Sequence, residues 1–251
     1  VNEREFLVNK AIALVQQARS IVALTGAGIS TPSGIPDFRS PRSGLWENVD
    51  PMEVGSITSF RRDARPFYQW IHPLAQTIYN AQPNAAHLAL AQMEQNGRLS
   101  SIVTQNIDLL HHKAGSKTVY EVHGHLREVT CLACHQVING ELVMPQFLET
   151  GDVPLCPDCG GVLKPNVILF GELLPLEVLR GAQRAAETCD LLIVAGSSLE
   201  VSPVNELPWL AKRQGAAVII VNLSETQLDY LADVIIQADV VEILPQLAMV
   251  L

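Results

Sequence analysis

Four of the five cysteines fall in two tight pairs, Cys131-Leu132-Ala133-Cys134 and Cys156-Pro157-Asp158-Cys159, with 21 residues between them. Each C-x-x-C turn delivers two thiolates to one metal, and two such turns complete a tetrahedral Cys₄ shell suited to Zn²⁺. A closed shell leaves no position for water or substrate. The expectation is therefore one structural zinc per chain, held by Cys131, Cys134, Cys156 and Cys159. Cys134-His135 also makes CLACH a formal match to a C-x-x-C-H haem attachment site. That reading strands the second pair and demands export, of which the sequence carries no sign. Cys189 lies in apolar surroundings and reads as a small core residue.

A second concentration of chemistry follows the apolar run at 21–24, in the stretch TGAGISTPSGIPDFRS (25–40). Gly26-Ala27-Gly28 fits the opening of a dinucleotide-binding G-x-G-x-x-G loop, but Thr31 stands where the third glycine belongs. A lone G-x-G is weak evidence, and a tight strand-to-helix turn explains it equally well. A hydride-transfer site also wants an acid about 20 positions on, at the end of a second strand. Glu47 and Asp50 fall near that distance but in a proline-bearing region, which weakens the dehydrogenase reading. Taken singly, Asn106 and Asp108 read as a strand-to-helix cap, His123 as a structural histidine, Phe170 as core and Asn222 as a turn former.

Together, these stretches point to one family. GAGIS (26–30), GIPDFRS (34–40), TQNID (104–108), His123-Gly124, the two cysteine pairs, KPNVILFGE (164–172), GSSLEVSP (196–203) and VNL (221–223) occur in this order. The chain resembles the NAD-dependent protein deacylases, the sirtuins, of bacterial or archaeal type, from about residue 20 to 240. The resemblance implies an enzyme that breaks the nicotinamide–ribose bond of NAD, its co-substrate, and moves the acyl group of an acyl-lysine onto ADP-ribose. It implies His123 as general base, since an imidazole of pKa about 6.5 suits proton removal from a ribose hydroxyl near neutral pH. Asn106 would hold the ribose and a water, Gln105 the ribose side, and Ile107 and Asp108 the nicotinamide carboxamide. Gly26, Ala27, Gly28 and Thr31 would let the backbone approach the pyrophosphate. Phe38 would screen the reacting sugar from water, and Arg39 would act near the phosphates. The adenosine half falls to Gly196, Ser197, Ser198, Asn222, Asp239 and Val240.

For the peptide, the segments 168–172 and 199–201, including Ile168, Gly171, Glu172 and Val201, resemble the two edges between which an acyl-lysine strand adds. Val167, Ile168 and Phe170 would line the lysine tunnel, where an apolar wall favours neutral acyl-lysine over a free ammonium. Relatives that prefer acidic acyl groups carry a Tyr-x-x-Arg pair at the acyl end. Here Tyr68 is present but Ile71 replaces the arginine, so a buried carboxylate lacks its cation. The expectation is deacetylation, extending to longer neutral acyl chains, with poor desuccinylation; Arg61, Arg62 and Arg65 lie close enough in sequence to supply a substitute charge. The alternatives are mono-ADP-ribosyl transfer to protein and a non-catalytic NAD or ADP-ribose sensor.

The elements that must position these residues follow from hydrophobic periodicity. Leu7, Ala11, Leu14, Val15 and Ala18 recur at helical spacing over 3–18. Runs at 20–24, 101–104, 119–122, 191–195 and 217–221 are continuous rather than alternating, as parallel strands covered on both faces should be. Helical patterns lie near 176–188 and 204–214. A further helix carries Leu88, Leu90 and Met93 between an Asn84 N-cap and a Gly97 stop. Strand–helix alternation predicts a doubly wound, Rossmann-like α/β fold with a small inserted zinc-binding domain. The expected organisation is a Rossmann-like domain in three parts (1–40, 83–125 and 164–251), a zinc domain at 126–163, and short helices around a groove at 41–82.

The composition suits such a core: 48% of the 251 residues are hydrophobic and only 17% charged. A net charge of −9 argues against the nucleic-acid backbone as a partner and suits a basic, lysine-bearing one. No apolar run reaches the roughly 18 residues of a membrane span. The thiol pairs and the lack of a signal-like start point to a monomer in the cytoplasm, with acetyl-lysine proteins and NAD as partners and neither membrane nor nucleic acid.

Overall fold

An apolar run can be continuous only where both faces of a strand are covered, and β1 (Ile21–Thr25) meets that condition. Ile21 and Ala23 join one hydrophobic cluster while Val22 and Leu24 join another on the opposite face. The computed structural model describes residues 3–37, 44–45 and 49–251. In it, helix α1 (Glu3–Gln17) precedes β1, and short helices α2 (Pro51–Val54) and α3 (Ile57–Arg62) lead to α4 (Arg65–Asn80) and α5 (Ala85–Gln95). Then come β2 (Leu99–Thr104), α6 (Leu110–Lys113), β3 (Val119–Glu121), β4 (Gly124–Cys131), β5 (Val137–Asn139), α7 (Gly140–Thr150) and β6 (Leu163–Val167). The chain closes with α8 (Leu176–Thr188), β7 (Leu191–Ala195), α9 (Leu207–Arg213), β8 (Ala217–Asn222), β9 (Val234–Gln237) and α10 (Val240–Ala248).

Six strands form one parallel sheet in the order β3-β2-β1-β7-β8-β9. One apolar cluster packs residues of α1, α5 and α10 on one face, and the other packs residues of α8 and α9 on the reverse. The doubly wound parallel fold expected from the sequence is therefore present. The strand order reverses direction at β1, between β2 and β7, and such a switch point opens a crevice at the carboxyl ends of the strands. A second, antiparallel sheet, β5-β4-β6, carries the cysteines together with α7.

One expectation needs correction. The segment 41–82 is not only short helices, because α4 runs for 16 residues with Pro73 inside it. Pro66 sits in the first turn, where its missing N–H costs little, and the hydrogen bond lost at Pro73 is outweighed by one buried face of Phe67, Tyr68, Ile71, Leu74, Ala75 and Ile78. Helix α5 carries Leu88, Leu90 and Met93 as expected, with Leu90 and Met93 buried and Leu88 exposed. The strand β9 and helix α10 were not foreseen. Asn84 does cap α5, accepting from the Ala86 N–H at 2.9 Å, and Gly97 takes a positive φ after it.

The tightest point of the fold joins the loops after β1 and β7. Gly28 N–H donates to the Gly196 carbonyl at 2.9 Å, and Gly196 has φ +61°. A Cβ on Gly196 would stand 2.3 Å from the Ile29 nitrogen, and one on Gly28 would stand 2.9 Å from the Gly196 Cα. Gly196→Ala should therefore lower unfolding stability by about 2–4 kcal/mol, combining left-handed strain with overlap. Urea titration of both proteins checks this, and an unchanged midpoint would refute the contact.

Candidate active site and metal centre

The carboxyl ends of five parallel strands supply the candidate site. Thr25 ends β1 and leads into Gly26, Ala27 and Gly28; Thr104 ends β2 and leads into Gln105–Asp108; Glu121 ends β3 two residues before His123. Ala195 leads into Gly196, Ser197 and Ser198, and Asn222 ends β8. Sequence-distant motifs thus meet at the switch-point crevice, the place where open α/β sheets bind ligands. Its glycine floor, too crowded against Gly196 for side chains, suits a dinucleotide.

The side chains there are tied together. His123 Nδ1 lies 3.1 Å from the Gln105 carbonyl. A carbonyl only accepts, so Nδ1 carries the proton and the lone pair of the neutral ring lies on Nε2. Gly124 follows with φ +78°, and a Cβ there would meet the Asn166 carbonyl oxygen at 2.0 Å, so His123 is delivered by a turn that only glycine fits. Ile168 N–H donates to the His123 carbonyl at 2.8 Å, which fastens the segment predicted to bind peptide beside this histidine. Gln105 Nε2 donates to Ser197 Oγ at 2.9 Å.

Asn106 and Asp108 are buried. Asn106 Nδ2 donates to the Gly26 carbonyl and to Ser30 Oγ, both at 3.1 Å, so Oδ1 is the atom left to face a ligand. Asp108 Oδ2 accepts from Ser30 Oγ at 2.6 Å and Oδ1 from the Leu110 N–H at 2.9 Å. Burial pushes the Asp108 carboxyl above its ordinary value, against the pull of Ser30, Leu110, Asn106 and the Lys113 charge. Ser30 also meets His87 Nε2 at 3.4 Å, while His87 Nδ1 accepts from the Asn84 N–H. Ser30 and His87 were not singled out from sequence, although Ser30 lies within GAGIS and His87 three residues after the α5 cap.

The remaining predicted residues divide. Thr31 Oγ1 donates to the Gly28 carbonyl at 3.0 Å, Ile107 packs beside the aromatic cluster of α4, and Ser198 is half-buried. Asn222 Nδ2 donates to the Ser224 carbonyl; Asp239 caps α10 through the Val241 N–H; Val240 is core. Phe38 and Arg39 lie outside the described residues. Phe170 is exposed, and its N–H and C=O pair with Gly55 and Ile57. Val167 is buried, and Val201 accepts from the Asn205 N–H. Glu172 is engaged internally: its carboxylate accepts from the Leu169 N–H at 2.9 Å and pairs with buried Lys164 at 2.9 Å. Tyr68 is 3% exposed, donates to the Leu163 carbonyl at 2.5 Å and stacks edge-on against Phe67 and Phe147, so burial drives its hydroxyl well above the usual pKa.

The four cysteine sulfurs lie within 4.8 Å of one another, with pairs at 3.5 Å and 3.8 Å. Tetrahedral Zn–S bonds of about 2.3 Å separate sulfurs by roughly 3.8 Å, far beyond a disulfide's ~2.0 Å. The donors fit a closed zinc shell. The two turns are built alike: His135 takes φ +62° and returns its N–H to the Cys131 carbonyl at 3.0 Å, and Gly160 takes φ +72° and returns its N–H to the Cys156 carbonyl at 2.9 Å. His135 is thus a turn residue, which accounts for CLACH without haem. Cys189 is buried, as expected.

Two outcomes follow. Cys131→Ser or Cys156→Ser should abolish stoichiometric zinc and destabilise the small sheet, because binding there is coupled to folding; one zinc per variant chain by atomic absorption would refute the ligand set. Burial lowers the His87 pKa to about 4. The unfolded chain therefore takes up a proton near pH 6.5 that the folded chain refuses until about pH 4, so stability present above pH 6.5 is lost on acidification across that window. The loss from this side chain is on the order of 3 kcal/mol. His87→Gln should flatten urea midpoints measured between pH 7.5 and 4.5, and a slope equal to wild type would refute it.

Known proteins resemble this chain over most of its length. The family model described as Sir2 family matches residues 26–203. NAD-dependent protein deacetylase 2 of Caldanaerobacter subterraneus subsp. tengcongensis is 46% identical over 92% of this chain and 90% of its own. NAD-dependent protein deacylase 2 of Archaeoglobus fulgidus is 42% identical over 96% and 94%. A solved Sir2 bound to p53 peptide and NAD+ superposes with a TM-score of 0.86 at 41% identity, covering 99% of this chain and 98% of that one. With the parallel-sheet crevice, the four-cysteine cluster and this breadth of similarity together, the chain belongs to the Sir2 family.

Proposed function

We propose that the chain is an NAD-dependent protein lysine deacetylase. The observation that carries this is the placement of His123, with its lone pair on Nε2, beside Gln105 at the strand-end crevice, and next to the Ile168 segment. NAD supplies a ribose carbon that becomes electrophilic as nicotinamide leaves, and the acetyl-lysine carbonyl oxygen attacks that carbon. His123 Nε2 takes the proton of a ribose hydroxyl, while the Gln105 carbonyl holds the ring and stabilises the imidazolium that results. The hydroxyl oxygen adds to the acyl carbon of the imidate; water then enters, the lysine amine leaves and the acetyl group stays on ADP-ribose. Asn106 Oδ1 orients the ribose and a water, and Ile107 and Asp108 contact the carboxamide. Gly26, Ala27, Gly28 and Thr31 border the pyrophosphate. Ser197, Ser198 and Asn222 hold the adenosine half, with Asp239 and Val240 beyond them.

The acetyl-lysine peptide enters as a strand between 168–172 and 199–201, its side chain directed along Val167, Ile168 and Phe170. Glu172 acts there through Lys164, by holding the turn that presents the edge. Zinc bound by Cys131, Cys134, Cys156 and Cys159 has a folding role only. Among the described residues no helix is long and apolar enough to cross a membrane. Cysteines kept as zinc-ligating thiolates suit a reducing compartment, and on that ground the protein is placed in the cytoplasm.

Tyr68 and Ile71 support a neutral acyl group. The Tyr68 hydroxyl is committed to Leu163, Ile71 is buried, and Arg65 is an exposed partner of Asp63. A carboxylate at that end would be desolvated without a counter-charge. Turnover on an acetyl-lysine peptide should exceed that on its succinyl counterpart by at least about tenfold, and faster succinyl removal would overturn the assignment. His123→Ala should lose about 10²–10⁴ in turnover while still binding NAD. Mass spectrometry of the products separates deacetylation, which yields acetyl-ADP-ribose, from ADP-ribosyl transfer, which adds mass to protein.

A further inference from the structure

Behind the crevice stands a histidine that the proposed chemistry does not use. His111, on α6, is 2% exposed, and its ring packs against His87 with centroids 4.9 Å apart. Nε2 lies 2.9 Å from Thr25 Oγ1, and Nδ1 has no partner among the described residues. Burial, with His87 and His112 nearby, holds this imidazole well below its ordinary pKa, so it is neutral. An unpaired buried nitrogen is a stability cost that leucine would remove. Among the described residues the one polar contact its ring makes, to Thr25, must account for its presence.

That contact begins a relay. Thr25 Oγ1 donates to Thr104 Oγ1 at 2.9 Å, which makes His111 Nε2–H the donor to Thr25. Thr104 Oγ1 in turn accepts from the Asn106 N–H at 3.1 Å. Asn106 lies in a segment, 105–108, without helix or strand, which ends at Leu109 with φ +63°. Side-chain bonds must therefore hold what secondary structure does not.

We propose that His111 is a positioning residue, which orients the Thr25 and Thr104 hydroxyls so that they fix the Asn106 amide and the aim of its Oδ1 into the crevice. The inference rests on the deacetylase reading. It is tested with full-length, zinc-loaded wild type, His111→Leu, His111→Gln and Thr25→Val, by measuring nicotinamide release, peptide KM and melting temperature. His111→Leu should melt no lower than wild type and keep its peptide KM, yet lose about tenfold or more in kcat through misplacement of Asn106. His111→Gln, whose amide places a donor near the former Nε2, should recover most of that rate. Thr25→Val, which removes the middle hydroxyl, should reproduce the loss, and it decides the matter if His111→Leu does not fold. Wild-type kcat in His111→Leu or Thr25→Val, equal losses in Leu and Gln, or a loss that tracks melting temperature would overturn the relay. A wild type that releases no nicotinamide would sink the functional reading and this inference with it.

Discussion

The contact between two backbone loops, after β1 and after β7, is the constraint on which the rest of the site depends. Gly26 and Gly28 approach Gly196 and Ser197 so closely that an added Cβ on either would stand about 3 Å from backbone. This is the switch point of the sheet, where crossovers depart to opposite faces and the strand ends are left uncovered. Closing the two loops at main-chain distance sets the floor of the crevice and brings Ser197 within hydrogen-bond reach of Gln105. The glycines that resemble a phosphate-binding signature therefore also do a packing job, and the two roles cannot be separated by a single substitution.

Above that floor the molecule trades apolar packing for polar order. The sheet interior is aliphatic, yet at the strand ends Thr25, Thr104, Ser30, His87, His111, Asn106 and Asp108 are buried together. Each such group costs desolvation unless partnered, and a dry interior strengthens the bonds that do form. The network gives a loop without regular secondary structure a defined shape. Neutral imidazoles serve better here than charged groups, since they make directed hydrogen bonds without burying a net charge.

The antiparallel sheet stands apart from the crevice but shares its foundations. β6 pairs with β4 through Cys131 and Leu163 at one end and reaches Gly124 and Val167 at the other. One short ladder thus runs from Cys131 to the neighbours of His123. Lys164, buried on the same strand, donates to the Val167 carbonyl and pairs with Glu172. The aromatic face of α4 packs with Phe147 of α7 and with Leu169 in the same cluster. A zinc held by the four cysteines would therefore support, through folding, strand register and packing, the segment proposed to bind peptide.

Much of this was legible in the residues themselves. Continuous apolar runs marked the four inner strands β2, β1, β7 and β8 because covered strands have no polar face, while a fifth run fell on the edge strand β3; the two C-x-x-C turns marked the four-cysteine cluster because ligand spacing is local. Motif order placed His123, Asn106 and Asp108 in one site. Local signals misjudged α4, since Pro73 looks like a break until the buried face that overrides it is known. They were silent on which atoms are already committed: Tyr68 to Leu163, Glu172 to Lys164, Asp239 to its helix. They also passed over His111 and Thr25, whose partners lie far away in the chain. Residue types and short spacings determined the fold class, the metal chemistry and the family; only the tertiary structure decided which side chains face the crevice and which hold the others in place, because hydrogen-bond partnership depends on distances between elements that no local pattern encodes.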